Sequence, residues 1–223
     1  SSVTGVQTCA LPISPMTWFL MPRRLFPLIG TIAAAALLGL SGCSPVPSAP
    51  PPAFQGSDVS GVALTDFTLT DHTGQPRKLS DYRGKAVVLY FGYTHCPDVC
   101  PTTLAELAQA MRELGPQAGQ VQVLFVTIDP QRDTLPLLAQ YTPAFDPGFI
   151  GLTGTPEQIA QVARQFKAVY RRQDGQGGSQ GKDYTMDHSA GAYLLDRDGK
   201  LRVHVAYGSG SAAFVHDLQL LLK

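Results

Sequence analysis

The sequence predicts an α/β fold in which a central mixed sheet is flanked by helices and completed by a terminal β-hairpin and helix. Two apolar runs rich in β-branched residues, 86–91 and 121–128, are typical of buried strands. Each run is followed by a segment whose apolar residues recur at helical spacing. Strands that alternate with helices in this way favour a βαβ core, and the closing hairpin gives the sheet an antiparallel end.

The first residues of the chain carry the signals of a leader. Residues 3–13 resemble the translation of a sequencing adapter, so residues 1–20, with Cys9, are interpreted as a non-native leader; a genuine but unusual leader is the alternative. Residues 21–42 have the pattern of a lipoprotein signal peptide. Two arginines precede an apolar run that is shorter than the roughly 20 residues that a membrane span needs.

A cysteine and a proline-rich segment follow this run. Leu40-Ser-Gly-Cys43 resembles the lipobox of bacterial lipoproteins and predicts lipidation of Cys43; a short uncleaved anchor is the alternative. Prolines make the rest of residues 43–63 an extended linker. We expect a membrane-anchored, extracytoplasmic protein that faces the periplasm on the inner membrane, with residues 64–223 as its folded domain. The formal net charge is zero, so no nucleic-acid partner is expected.

Turn and cap residues divide the domain into its remaining elements. Residues 66–69 alternate apolar and polar side chains, which predicts a strand before the turn at 71–74. The helix after Pro101 should end near Gly115, where glycine is followed by proline. The later elements are expected as a helix at 134–141, a strand at 149–151, a helix opened by the capping box of Thr155 and Gln158, a Gly/Gln-rich excursion at 173–182, strands at 191–195 and 201–207 joined by a turn at 196–199, and a helix at 211–222.

Cys96 and Cys100 follow the first buried strand and are expected on the loop before the next helix. A helix N-terminus stabilises a nearby thiolate, and the thiolate is both the nucleophile and the metal ligand. A redox-active thiol pair at this place predicts a thioredoxin-like fold by analogy. A purely structural disulfide is the alternative, but a bridge that closes so short a loop constrains the unfolded chain little.

Three motifs together resemble the Sco/SenC family of copper-handling proteins. They are Phe91-Gly-Tyr-Thr-His-Cys-Pro-Asp-Val-Cys-Pro-Thr-Thr-Leu104, Ile128-Asp-Pro-Gln-Arg-Asp133 and Asp187-His-Ser189. The resemblance extends over nearly the whole domain from Thr65 onward. It implies a thioredoxin fold, copper bound by Cys96, Cys100 and His188, and a role in assembling the CuA centre of cytochrome c oxidase. The implied partners are the copper-binding subunit of the oxidase and an upstream copper donor.

The residue chemistry agrees with that ligand set. Cu(I) is soft and accepts few ligands, so two thiolates and one imidazole suit it, whereas zinc would seek a fourth ligand. Asp187 and Asp129 are candidates to orient the histidine; a turn cap for Asp187 and a helix or loop cap for Asp129 are the favoured alternative. His72, His204 and His216 are expected to be ordinary surface or packed histidines.

Two functions from different classes fit these residues. The first is a metallochaperone that binds copper and delivers it. The second is a thiol–disulfide oxidoreductase in which Cys96 and Cys100 form the redox pair and keep the cysteines of the oxidase reduced. His188 favours the chaperone, because thiol exchange has no need of a distant histidine. A thiol peroxidase fits poorly, since Thr94-His-Cys96 lacks the expected arrangement of threonine and cysteine.

Overall fold

The structure is a computed structural model, and it describes residues 53–174 and 184–223. The predicted leader, signal peptide, Cys43 and most of the proline-rich segment therefore lie outside the described residues, as does the centre of the glycine-rich excursion. Within the described ranges, no helix combines the length and the apolar character needed to cross a membrane.

Ten strands and four α-helices make up the described part of the chain. The strands are β1 (Ser57–Asp58), β2 (Thr68–Asp71), β3 (Pro76–Lys78), β4 (Ala86–Gly92), β5 (Val121–Thr127), β6 (Ile150–Thr153), β7 (Tyr170–Asp174), β8 (Tyr184–His188), β9 (Gly191–Leu195) and β10 (Leu201–Ala206). The helices are α1 (Val99–Leu114), α2 (Leu135–Tyr141), α3 (Pro156–Gln165) and α4 (Gly210–Leu221). Short 3-10 helices precede β4 and β5.

Eight strands form one mixed sheet in the order β1-β10-β9-β4-β5-β6-β2-β3. Strands β4, β5 and β6 run parallel, and β9 pairs antiparallel with β4. Every residue of β4 and β5 is buried, because these strands lie at the centre of the sheet and both of their faces are covered. The predicted α/β, thioredoxin-like architecture with a mixed sheet is confirmed.

The terminal hairpin and helix also form as predicted. Strands β9 and β10 pair antiparallel, and the carboxylate of Asp196 accepts the backbone N–H groups of Asp198 and Lys200 in the turn between them. The last helix, α4, packs against α1. The capping box of Thr155 and Gln158 opens α3 in the predicted form.

The folded unit begins earlier than the sequence composition predicts. Residues 57–58, which the composition assigns to the linker, form β1 and pair with β10. Phe54, Val59 and Val62 pack against the core. The buried carboxylate of Asp217 on α4 accepts the backbone N–H groups of Gln55 and Gly56 at 2.7 and 2.9 Å. The contacts that fix this segment come from the far end of the chain, where local composition gives no sign of them.

Candidate metal centre

The site lies where the parallel strands β4 and β5 end side by side. Gly92 pairs with Thr127 at the last step of the ladder, and the backbone N–H of Ile128 donates to the carbonyl of Gly92 at 2.9 Å. The loops that follow the two strands, 93–98 and 128–134, therefore meet at the same edge of the sheet, as the sequence predicts. Ligands commonly bind at this edge in α/β proteins.

The two cysteines differ in position and burial. Cys96 lies in the loop after β4 and is partly exposed, whereas Cys100 is fully buried. The sequence placed both thiols in the loop, and this is wrong for Cys100, because α1 begins at Val99, two residues before Pro101. Proline is tolerated there, since the N–H groups of the first helical turn have no partner within the helix.

The start of α1 polarises the thiol pair. The backbone N–H of Cys100 points to Sγ of Cys96 at 3.4 Å. A hydrogen bond from the Cys100 thiol, supported by the backbone N–H groups of Asp98 and Cys100, lowers the pKa of Cys96 to about 3 despite partial burial. The same hydrogen bond and burial raise the pKa of Cys100. Cys96 is thus the thiolate of the pair, and Cys100 keeps its proton until a metal or a disulfide replaces it.

His188 completes the cluster from a distant part of the chain. Its Nε2 lies 3.5 Å from Sγ of Cys100, and its Nδ1 lies 3.0 Å from the carbonyl oxygen of Ser189. A proton on Nδ1 that is donated to this carbonyl leaves the lone pair of Nε2 facing the thiols. His188 is the last residue of β8, because β8 pairs with β7 up to that residue.

The arrangement suits a soft metal ion. The Sγ atoms of Cys96 and Cys100 and the nearest ring nitrogen of His188 all lie within 4.8 Å of one another, and within the described ranges no other group of three such residues converges. Ligand atoms that bind one metal ion at about 2.0–2.3 Å are at most about 4.6 Å apart, so a small closing movement brings all three into range.

Gly92 provides the space that this packing needs. A Cβ atom at this position would lie 2.7 Å from the ring of Phe125 and 3.0 Å from Sγ of Cys100. Both contacts are closer than ordinary van der Waals separation, and the Phe125 ring is fixed in the core. The glycine that ends the first buried strand therefore allows the buried cysteine to approach the sheet.

Asp133 is a residue whose role the sequence analysis missed. The sequence gives it only as the last residue of the second motif, but it is buried, with Oδ2 accepting the N–H of Thr94 at 3.0 Å and the hydroxyl of Thr127 at 2.6 Å. Its Oδ1 accepts the Thr94 hydroxyl at 2.6 Å. Asp133 therefore fixes the start of the loop that carries Cys96. The sequence feature that indicates this role is the position of Asp133, four residues after Asp129 in the loop that follows a buried strand.

The carboxylates proposed to orient the histidine have other partners. Asp129 is buried and accepts hydrogen bonds from the hydroxyl of Tyr184 and from Arg132. Asp187 is exposed and lies beside Gln173 and Arg171. The group within hydrogen-bond distance of Nδ1 of His188 is the carbonyl of Ser189.

The remaining histidines lie outside the cluster. His95 is exposed and lies 3.8 Å from a carboxylate oxygen of Asp133. Nδ1 of His72 accepts the N–H of Gly151, and the ring of His204 stacks on Tyr193. His72 and His204 are thus packed histidines, as the sequence predicts for them.

Comparisons with known proteins identify the family of this chain. Residues 58–223 match the family model described as SCO1/SenC. The chain belongs to the SCO1/SenC family. Among curated relatives in this family, the mitochondrial SCO2 homolog of Bos taurus is 46% identical over 142 residues, which cover 63% of this chain and 52% of the relative. The chain spans about half the length of the mammalian relatives it matches.

Solved structures show the same architecture. The structure of Bradyrhizobium japonicum ScoI with copper bound is 38% identical and has a TM-score of 0.64, covering 71% of this chain and 98% of that chain. The apo Sco1 protein of Thermus thermophilus is 36% identical with a TM-score of 0.67, covering 76% of this chain and 98% of that chain. These SCO1/SenC relatives establish the fold.

Proposed function

We propose that this protein is a copper chaperone that binds one Cu(I) ion through Cys96, Cys100 and His188 and delivers it to the CuA site of cytochrome c oxidase during assembly. The observation that carries this proposal is the convergence of two sulfurs and one imidazole nitrogen within 4.8 Å. Family membership and the copper-bound relative support it. Copper is the cargo of this reaction and not a resident cofactor.

The protonation states prepare the three ligands. Cys96 is a thiolate at neutral pH and offers the first bond to an incoming ion. Cys100 loses its proton when the metal binds, because a coordinated thiol is deprotonated. His188 contributes neutral Nε2 while Nδ1 remains directed at the Ser189 carbonyl. Three ligands of this softness satisfy Cu(I) but leave zinc short of the four ligands that it prefers in structural sites.

Delivery can proceed by exchange of one ligand at a time. Cys96 and His188 are partly exposed, whereas Cys100 is buried, so an acceptor reaches the metal from the side of Cys96 and His188. As each bond from the acceptor forms, one bond from this chain breaks, and the ion stays Cu(I) throughout. The buried Cys100 sulfur is then the last ligand to be released.

The cellular setting belongs to the same proposal. Lipidation of Cys43 would hold the domain on the periplasmic side of the inner membrane, where an upstream donor supplies copper and the oxidase subunit accepts it. The lipobox, the preceding apolar run and the proline-rich linker support this part.

One observation favours a companion activity as a thiol–disulfide oxidoreductase. The partly exposed, low-pKa sulfur of Cys96 can attack a disulfide of a partner and displace one of its sulfurs as a thiolate. Cys100 then loses its proton and attacks Cys96, which releases the second partner thiol and leaves a Cys96–Cys100 disulfide. Two electrons pass from this protein to its partner. This exchange does not require His188.

Copper transfer tests the main proposal. The full chain, with Cys9 and Cys43 replaced by serine, is reduced, loaded anaerobically with one equivalent of Cu(I) and mixed with the apo copper-binding domain of an oxidase subunit. We expect one copper per chain and transfer to the acceptor, both lost in Cys100→Ser and both retained in the control His204→Ala. Failure of the unmodified chain to retain copper, together with a readily cycling disulfide, would favour the oxidoreductase instead.

A further inference from the structure

The strand that carries His188 does not belong to the main sheet. Within the part of the chain that the structure describes, strands β7 and β8 pair only with each other, from Tyr170 opposite His188 to Asp174 opposite Tyr184, and form a separate two-stranded sheet. Beyond β8, Ser189 and Val169 continue this pairing, with N–H of Ser189 donating to the carbonyl of Val169. The position of His188 over the cysteines therefore depends on what joins this hairpin to the rest of the domain.

Tyr184 makes such a connection at the start of β8. It is buried, and its hydroxyl donates to Oδ1 of Asp129 at 2.6 Å. Burial and the acceptor carboxylate raise the pKa of Tyr184 to about 12, so the phenol remains a donor at neutral pH. Because Asp129 follows β5, this hydrogen bond ties the hairpin to the loop at the edge of the main sheet.

Arg132 strengthens the same connection. Its Nη1 donates to the backbone carbonyl of Tyr184 at 2.9 Å, and its Nε donates to Asp129. The guanidinium carbon lies 3.5 Å from the centroid of the Tyr184 ring, within the range of a cation–π interaction. The guanidinium of Arg172 lies 3.9 Å from the same ring. Asp129, Arg132 and Tyr184 thus form a closed set of contacts, which we call the Tyr184 latch.

The loop that bears the latch also holds the cysteine loop. Asp129 and Arg132 contact Tyr184, and Asp133 of the same loop holds Thr94, two residues before Cys96. Tyr184 and His188 are four steps apart along the extended strand, which is about 13 Å. A tilt of the hairpin at Tyr184 would therefore move the imidazole relative to the sulfurs. The rings of Tyr90 and Tyr93 lie against His188 and limit this movement at the other end.

We propose that Tyr184, Arg132 and Asp129 are positioning residues that hold His188 at the cysteine pair and thereby slow the release of bound copper. The inference rests on the proposed copper site and adds a determinant of how long the ion is retained. None of the three residues is a proposed metal ligand; their contacts with one another join the hairpin to the loop after β5.

Tyr184→Phe tests the latch with little disturbance, because it removes one hydroxyl and keeps the ring. In the full chain carrying serine at positions 9 and 43, we expect copper release to a Cu(I) chelator to become about tenfold faster. The nitrogen contribution to the copper X-ray absorption spectrum should weaken while both sulfurs remain. Tyr207→Phe is the matched control, since Tyr207 is exposed and lies after β10, and it should leave both quantities unchanged.

A double-mutant cycle distinguishes positioning from general stability. If the latch acts through His188, Tyr184→Phe should not accelerate copper release further in a His188→Ala background. An equal tenfold acceleration in that background would show that the effect bypasses the histidine and would overturn the positioning role. Asp129→Ala, which removes the acceptor of the same hydrogen bond, should behave like Tyr184→Phe in both backgrounds.

Amide exchange in the metal-free protein separates this inference from the proposed function. Tyr184→Phe should speed exchange at residues 185–189 and leave the ladder between β4 and β5 protected. Unchanged exchange together with unchanged copper release would overturn the latch while leaving the chaperone proposal intact. If the unmodified chain failed to bind copper, the chaperone proposal would fall, and faster exchange in the variant would still support the latch as the device that positions His188.

Discussion

Cys96 and Cys100 are chemically alike but are made different by their positions. Cys96 lies partly exposed before α1 and accepts hydrogen bonds, whereas Cys100 lies buried within the first helical turn and donates one. The pair therefore consists of one accessible thiolate and one protected thiol. This asymmetry serves both proposed activities, since the first bond to copper and the first attack on a disulfide both need a thiolate.

The low pKa of Cys96 predicts an unusual pH dependence of alkylation. A thiol with a pKa near 8.5 loses about tenfold in reactivity for each pH unit below it, because only the thiolate reacts. With its pKa at about 3, Cys96 should react with iodoacetamide at nearly the same rate at pH 7 and pH 5. The measurement uses the reduced, metal-free chain with serine at positions 9 and 43.

Cys100→Ala is the matched variant for this measurement. It removes the hydrogen bond that contributes most to the low pKa of Cys96, so alkylation should slow at pH 5 relative to pH 7. A decline of about 100-fold between pH 7 and pH 5 in the parent chain would contradict the asymmetry described here.

At the scale of elements, the site is assembled by three segments that the sheet brings together. The loop after β4 and the start of α1 supply the thiols, β8 supplies the imidazole, and the loop after β5 holds the other two in place. The parallel pairing of β4 and β5 puts the first and third segments side by side. Side chains of the loop after β5 thus support the site, although none of the three proposed metal ligands lies on that loop.

Asp133 gives a direct test of this support. Asp133→Ala leaves the backbone N–H of Thr94, the partly buried Thr94 hydroxyl and the buried Thr127 hydroxyl without their acceptor. One orphaned buried group costs about 1–3 kcal/mol, and hydroxyls can turn to other partners, so we expect the free energy of unfolding to fall by about 2–3 kcal/mol. Urea unfolding measures this loss, and amide exchange at Thr94 should become faster.

Asp198→Ala is the control for the same charge change. Asp198 is exposed in the β9–β10 turn and has only a distant ion pair with Lys200, so its removal should change the free energy of unfolding by less than about 0.5 kcal/mol. Equal losses in both variants would refute a specific role for Asp133.

The sequence predicts the secondary-structure elements and the proposed ligands better than the residues that hold those ligands in place. Buried strands, the capping box at Thr155 and the 196–199 turn depend on local patterns, and these predictions are confirmed. His188 is predicted from the family motif, because no local pattern links it to cysteines that lie 88 and 92 residues away in the chain. The roles of Asp133 and Tyr184 depend on contacts between loops that only the folded sheet brings together.

At the scale of the whole molecule, the last helix binds the first residues of the described domain. Strand β1 adds to the sheet beside β10, and Asp217 of α4 accepts the N–H groups just before it. The β9 and β10 strands separate this edge from β4. The attachment of the N-terminal segment and the metal centre therefore lie at different places in the sheet.

This separation predicts independent behaviour of the two regions. Asp217→Ala should raise the rate of amide exchange at Gln55 and Gly56 by at least tenfold, because both N–H groups lose their buried acceptor. Copper affinity should not change. His216→Ala, which removes only a neighbour of the carboxylate, should leave this exchange largely unaffected. Retained protection of Gln55 and Gly56 in Asp217→Ala would contradict the assignment of this contact.

The most direct test of the central claim is X-ray absorption spectroscopy of the reduced full chain loaded anaerobically with one equivalent of copper, with serine at positions 9 and 43. We predict Cu(I) bound by two sulfurs and one nitrogen, with the nitrogen lost in His188→Ala and retained in His204→Ala. A spectrum with two sulfurs and one nitrogen that is unchanged in His188→Ala, or a chain that retains no copper, would contradict the assignment of Cys96, Cys100 and His188 as the copper ligands.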